Sequence, residues 1–461
     1  MLDSLFKVRF NWVNYLILVI LTVLLFPHLS ILSYIALFIA FHQFLLLFYS
    51  LGVVIPIRYL FGALMCLQFL FGPVLAYNID IVKVQMVIPE EAYFTYVIPA
   101  VVCFIIGLHF YAGKLEGEVL HEENITRYLE NNKNLPLILI GIGFLSSYMA
   151  NLFSSDLAFL FYLIAGLKFI GAFMIVISSQ KLKLFLLFIV YASVIISSLN
   201  VGLFHDLVIW VIFLGIIYAI KHKPSIPVRM GFIVVFIILI LLLQALKQYY
   251  RTATWEKGEE AGLTTLSNVY EQNQAKGQFL QTESLRSSII RINQGHIVTH
   301  IMKTVPAVVP FSEGEELKEI LTSAILPRII APNKLNAGDR KLFAKYTGLH
   351  LNYTTSMGLS SIGDAYINFG VYGGWFFMFL LGLLYNLTLK KFYQYSKHYP
   401  IILIFMPLIF YFPIRPDCEL QTILGHFVKS CFLIFVIFFS WRRQFYTTSS
   451  SSPMKLETVT D

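Results

Sequence analysis

The chain has 461 residues, 57% of them from the AVILMFWYC set and only 13% Asp, Glu, Lys or Arg, with a mean hydropathy of +0.73. Soluble domains carry about 25% charged residues, so a soluble globular protein is excluded, and length here counts membrane spans rather than domains. The net charge of +8 fits the basic inside loops of a polytopic membrane protein better than a nucleic-acid partner, and Cys66, Cys103, Cys418 and Cys431 show neither metal-ligand spacing nor a disulfide framework.

A bilayer core needs about 20 apolar residues per helix, and charge-poor runs near that length recur twelve times, at 11–27, 30–50, 54–77, 94–112, 135–153, 157–178, 184–200, 203–220, 230–246, 366–389, 399–414 and 420–440. These predict an all-α polytopic membrane protein of about 12 transmembrane helices. The first run follows Lys7 and Arg9 but no cleavage site follows it, so it reads as a retained helix. Counting basic residues near span ends puts both termini in the cytoplasm, with 17 of the 34 Lys and Arg inside, Arg58 among them. The expected organisation is helices 1–9 in residues 1–246, one large external loop over 247–363, helices 10–12 in 364–441 and a disordered tail over 442–461. Lys168 and Lys429 fall inside spans, where a charge is a functional candidate and contact with a backbone or hydroxyl group is the plainer alternative.

The long loop holds thirteen Lys and Arg, nearly all the basic charge on the external side, where the short loops add only Lys83 and Arg415. It opens with Lys247-Gln-Tyr-Tyr250-Arg251, two cations and two tyrosines at the depth of a lipid phosphate, for which, on this pentapeptide alone, snorkelling cations and an aromatic belt are the plainer reading. Leu285 to Val305 is predicted as a helix lying on the membrane, with Leu285, Ile289, Ile292, His296 and His300 on one face and Arg291 on the other. His296 and His300 have the spacing of two metal ligands but lack a third, so no metal is expected. Then come Pro327-Arg328 and Pro332-Asn-Lys334, in which proline fixes the backbone beside each cation. Gly363-Asp364-Ala-Tyr366-Ile-Asn368-Phe-Gly370 leads into the tenth run, with Asp364 placed either as a helix cap or as an acid–base group. Arg415, Asp417 and Glu419 lie in the last external loop, and His205-Asp206 opens the eighth span, either as a proton-handling pair or, since adjacent helical side chains are expected to point apart, as the plainer polar helix end.

In this order the Lys247–Arg251, Pro327–Lys334 and Gly363–Gly370 motifs resemble those of the Wzy-type polymerases of bacterial O-antigen and related polysaccharides. The likeness covers residues 245–390 by motif and the whole chain by architecture. It departs at Asn200-Val-Gly-Leu-Phe-His205-Asp206, where many members carry a small residue followed by Arg. The resemblance implies joining of oligosaccharide repeat units carried on undecaprenyl diphosphate, at the outer face of the inner membrane, without cofactor or metal. The implied partners are the lipid-linked oligosaccharide, the bilayer, a chain-length regulator and a flippase.

The leaving lipid diphosphate gains charge as the glycosidic bond breaks, and cationic donors must meet it. Arg251, Arg291 and Arg328 are the catalytic candidates for that task, aided by Lys247 and Lys334. Asp364 comes first as a general base, before His296 and His350, while Tyr250, Tyr366, Asn368 and Arg415 are the substrate-binding candidates. An O-antigen ligase would need the same cations. A polysaccharide flippase would share the span count, but the single large external loop and the lack of a repeat between halves count against it.

Overall fold

The computed structural model describes residues 12–79, 86–111, 122–153, 155–178, 183–256, 258–275, 290, 292–326, 330–331, 334–335, 338–351 and 357–445. Among them the regular structure is helical throughout, with no strand. In chain order the helices are α1 (Trp12–Leu25), α2 (Ile31–Ser50), α3 (Ile57–Asn78, with one π-helical turn), α4 (Glu90–His109), α5 (Glu122–Asn131), α6 (Leu135–Met149), α7 (Ser155–Ala165), α8 (Leu167–Ile177), α9 (Lys183–Val201), α10 (His205–His222) and α11 (Ile226–Arg251). The polar stretch that follows holds α12 (Leu263–Ala275), α13 (Gly295–Thr304), α14 (Glu315–Ile325) and α15 (Arg340–Thr347). The chain then returns through α16 (Ser360–Tyr395), α17 (Met406–Phe410) and α18 (Leu420–Ser440).

Eight helical stretches are long and apolar enough to cross a membrane: α2, α3, α4, the α7–α8 pair over Ala158–Ile177, α9 from Leu184, α10, α16 and α18. The protein is therefore an all-helical membrane protein with eight candidate spans among the described residues. Shorter apolar helices at Tyr15–Leu24, Leu135–Met149, Ile226–Leu241 and Pro400–Phe410 coincide with the other four apolar runs. Side chains left on the outside of the bundle, such as Leu184, Phe188, Phe232 and Phe435, are large and apolar. That is the surface lipid requires, because no polar group there would find a partner.

At the centre, α4 and α16 run parallel and touch backbone to backbone. A methyl group added at Gly382 would meet the Phe104 carbonyl and approach the Leu108 nitrogen to 2.9 Å; one added at Gly107 would meet the Phe379 carbonyl and approach the Leu383 nitrogen to 2.9 Å. Lipid tails provide no hydrophobic drive for helix association, so small residues that permit such closeness supply it through packing. Trp375 Nε1 donates to the Tyr96 carbonyl at 2.9 Å and Tyr96 donates to the Ile362 carbonyl at 2.8 Å, which fixes the register at one end of the pair. At the other end Asn386 Nδ2 donates to the Gly107 carbonyl at 3.2 Å, and Arg58 donates to both the Leu108 carbonyl and Asn386 Oδ1. Arg58 is thus 2% exposed and belongs to the bundle, not to a basic loop. Its charge meets the carbonyl end of α4, where a helix dipole favours a cation.

Polar contacts separate the bundle into two ends. At one, Lys221 pairs with Glu122 at 3.2 Å and Tyr128 donates to the Gln444 carbonyl at 2.7 Å. At the other, the ends of α9 and α11 meet the start of the polar stretch, with Trp255 beside Gly202 and Leu266 packed on Leu199 and Tyr250, and further described residues of the stretch pack on the bundle. Helix α13 buries Ile297, Val298 and Ile301, and an added methyl at Gly72 of α3 would stand 2.9 Å from Asn293. Within the predicted helix over 285–305, the observed helix starts at Gly295 and packs Ile297, Val298 and Ile301 inward, instead of laying His296 and His300 on a membrane surface. This helix begins at the Gln294-Gly295 pair, a start that a single period through 285–305 could not show. Residues 281–289 and Arg291 lie outside the described residues.

Candidate functional site

Arg251 ends α11, and its Nε donates to the Gly202 carbonyl at 3.0 Å while its guanidinium lies 4.4 Å from the Trp255 ring centroid. Gly202 has φ +67°, a left-handed turn that lets the chain leave α9 and enter α10 within three residues. Tyr250 locks this junction: its hydroxyl donates to the Leu199 carbonyl at 3.0 Å and accepts from the Gly262 nitrogen at 3.0 Å. The ring is fully buried against Leu199 and Phe204, so Tyr250 holds Arg251 in place and has no surface to offer a sugar. Lys247 is half-buried one turn earlier on the same face of α11.

The same turn presents His205 and Asp206, the first two residues of α10. His205 Nε2 lies 2.6 Å from Asp206 Oδ1. The expectation that the two would point apart does not hold, because no preceding turn confines side chains at a helix start. Tyr411 also donates to Asp206 Oδ1, and Tyr162 of α7 donates to Oδ2 at 3.4 Å. Arg415 is within electrostatic reach of Asp206 and Tyr162, stands 3.7 Å from Asp417 Oδ2 and lies 5.1 Å from the Phe412 ring. Burial opposes its charge, but Cys418, Asp417, Tyr411 and Asp206 outweigh that and raise its pKa above the ordinary guanidinium value. Arg415 therefore stays cationic beside a carboxylate and two phenols. Three elements distant in sequence, α7, α10 and the segment after α17, thus converge on one polar cluster.

The Gly363–Gly370 motif has other partners. Asp364 is 4% exposed, and its Oδ2 accepts from the Leu420 nitrogen at 3.0 Å, the first amide of α18. Asn368, one turn later, accepts at Oδ1 from the Leu317 nitrogen of α14 at 2.9 Å and from Ser312 Oγ at 2.8 Å, while its Nδ2 donates to the Asp364 carbonyl. Two helix starts with unsatisfied amides are therefore capped from one face of α16, and α14 and α18 pack on each other beside it. Tyr366 is 6% exposed, edge-on to Tyr96 at 4.9 Å and to Phe311 at 5.6 Å. Gly370, at φ +64° and ψ −154°, breaks α16 directly after the motif, a backbone geometry open mainly to glycine.

The remaining candidates divide in the same way. Lys334 donates to the Leu326 carbonyl at 2.8 Å and to the Ser323 carbonyl at 3.4 Å, closing the end of α14. Arg291 and Arg328 lie outside the described residues. His296 contacts the Asn293 carbonyl through Nδ1 at 2.6 Å, and burial lowers the pKa of both His296 and His300. Among the described residues no group of three potential metal ligands occurs. Lys168 donates to Ser147 Oγ at 3.1 Å, with Phe144 and Phe169 on either side, the plainer of its two expected roles. Lys168→Met should accordingly leave expression and thermal unfolding in detergent within about 1 kcal/mol of the parent, since a buried charge can often be replaced by an apolar side chain of similar volume; a collapse in expression would show a role beyond this contact. Tyr162 and Tyr411, which complete the Asp206 cluster, carried no sequence signal, because each lies in an apolar run.

A family model described as "Domain of unknown function (DUF8712)" matches residues 51–444, and the chain belongs to that family. The match takes in the Asp206 cluster, Arg251 and the α4–α16 pair. No curated protein and no solved structure matches the chain.

Proposed function

We propose that this member of the DUF8712 family is a polymerase that joins undecaprenyl-diphosphate-linked oligosaccharide repeat units into a surface polysaccharide. In this reading it is a bacterial inner-membrane protein of twelve spans with both termini cytoplasmic and the 247–363 loop outside. The observation that carries the reading is the cluster of Arg415 with the His205–Asp206 pair, together with Arg251 fixed on the Gly202 carbonyl in the turn that leads into His205. The order of the Lys247–Arg251, Pro327–Lys334 and Gly363–Gly370 motifs supports it as well.

The chemistry suits such residues. A glycan transfers from its lipid diphosphate to a hydroxyl of the next lipid-linked unit, and the departing diphosphate collects charge that guanidinium groups stabilise with charge-assisted hydrogen bonds. Arg251 and Arg415 take that role, with Arg291 and Arg328 assigned to it on sequence grounds and Lys247 in support. Arg251→Ala is expected to slow chain growth by about 100-fold or more, the usual loss when one transition-state donor is removed, and Arg328→Ala carries the same expectation. Both are read from glycan length at matched protein level; normal lengths would remove that arginine from the site.

The reading itself is tested by the undecaprenyl-linked glycans of a cell lacking the gene. Single repeat units accumulating outside the membrane with no long chains support a polymerase. Full-length polymer left unattached would replace it by a ligase, and units trapped inside by a flippase.

A further inference from the structure

We propose that His205 is the general base of the transfer, oriented by Asp206, which the Tyr162 and Tyr411 hydroxyls hold in place. The proposal rests on the glycosyl-transfer reading and names the group that reading leaves open. Both oxygens of Asp206 are engaged: Oδ1 by His205 Nε2 at 2.6 Å and by Tyr411, Oδ2 by Tyr162 at 3.4 Å. A carboxylate occupied in this way orients its neighbour and is poorly placed to take a proton itself. With Nε2–H donated to Asp206, His205 carries its lone pair on Nδ1, the nitrogen that points away from the carboxylate. The His205 side chain is 36% exposed, whereas Asp364, the base expected from sequence, is 4% exposed and occupied by the Leu420 amide. A base must reach the proton it abstracts, and of the two only His205 offers a surface to a sugar.

Its neighbours fit the reaction. Arg251 is anchored on Gly202, three residues before His205, and Arg415 lies on the Asp206 side. In the step, Nδ1 of His205 accepts the proton of the acceptor hydroxyl as that oxygen bonds to the donor's anomeric carbon. The bond from this carbon to the diphosphate breaks, its electron pair leaves on the lipid diphosphate, and the imidazolium returns the proton to water.

The titratable and charged groups facing the pair are Tyr162 from α7, Tyr411 and Arg415 from the segment after α17, and behind them Asp417, Cys418 and His426. The experiment uses full-length protein in membrane vesicles and, as substrate, the lipid-linked units extracted from cells lacking the gene, with elongation followed against pH. His205→Gln keeps a donor for Asp206 but cannot serve as a base; it is expected to lower turnover by about 100-fold or more with KM unchanged, and to change the pH profile of elongation. Asp206→Asn is expected to lose a similar factor because it favours the wrong imidazole tautomer, with Asp206→Glu recovering part of it. Elongation by His205→Gln at the parent rate and pH profile overturns the assignment while leaving the polymerase reading intact. Failure of the parent protein to elongate the extracted units overturns both.

Discussion

Gly382→Leu is expected to remove the folded protein from the membrane fraction, and Gly382→Ala to lower its unfolding temperature in detergent. Two effects oppose each other at this position. Alanine in a helix interior is favoured over glycine by about 1 kcal/mol, so an unobstructed substitution would stabilise α16. Here the added carbon meets the Phe104 carbonyl and comes within 2.9 Å of the Leu108 nitrogen, and these are backbone atoms of a neighbouring helix that no rotamer change can move. Overpacking in a filled core costs about 1–3 kcal/mol even where side chains can yield, so the clash outweighs the propensity gain. Separating the helices would also disturb Trp375 on the Tyr96 carbonyl and Asn386 on the Gly107 carbonyl. Gly107→Ala should behave alike, as it occupies the reciprocal contact. Gly141→Ala is the control: it lies in α6 with nothing within 4 Å of the added methyl, so it should be neutral or slightly stabilising. A Gly382→Ala protein that melts at or above the parent temperature would show that α4 and α16 do not touch this closely.

The apolar runs were readable because a bilayer imposes both a length and the exclusion of charge. The run at 420–440 corresponds to the helix Leu420–Ser440, and the runs at 135–153 and 399–414 correspond to shorter apolar helices. Positions inside the bundle were less readable. Arg58 stands at a span end by hydropathy, but its partners, Leu108 and Asn386, lie 50 and 328 residues away, and no local pattern announces them. The same difficulty governs the site. Carboxylates, amides and hydroxyls cap helices and also perform catalysis, so Asp364 and Asn368 carried the same residue signal for either role. Only the positions of Leu420 and Leu317 show where their hydrogen bonds go. Conversely, His205 and Asp206 read as a polar helix end because helical neighbours diverge. They meet since both lie in the first turn of α10, and the groups that hold Asp206 come from α7 and from the segment after α17.

Asp364 allows the two roles to be separated by experiment. Asp364→Ala is expected to destabilise the protein by about 1–3 kcal/mol, the penalty for leaving a buried donor, the Leu420 amide, without an acceptor. Asp364→Asn keeps an oxygen for that amide and removes only the charge, so it should preserve most of the stability and, if the residue is a cap, chain growth as well. A catalytic acid–base role makes the opposite forecast: full stability with no elongation in Asp364→Asn. Asn368→Ala removes the cap of α14 in the same manner. Because α14 and α18 pack on each other, the two caps stabilise one shared contact, and the double variant should depart from additivity by more than about 0.5 kcal/mol. Thermal unfolding of the two single variants and the pair in detergent measures that coupling. Strict additivity would mean that each cap serves its own helix alone, while loss of elongation in a stable Asp364→Asn protein would return Asp364 to the chemistry and displace His205.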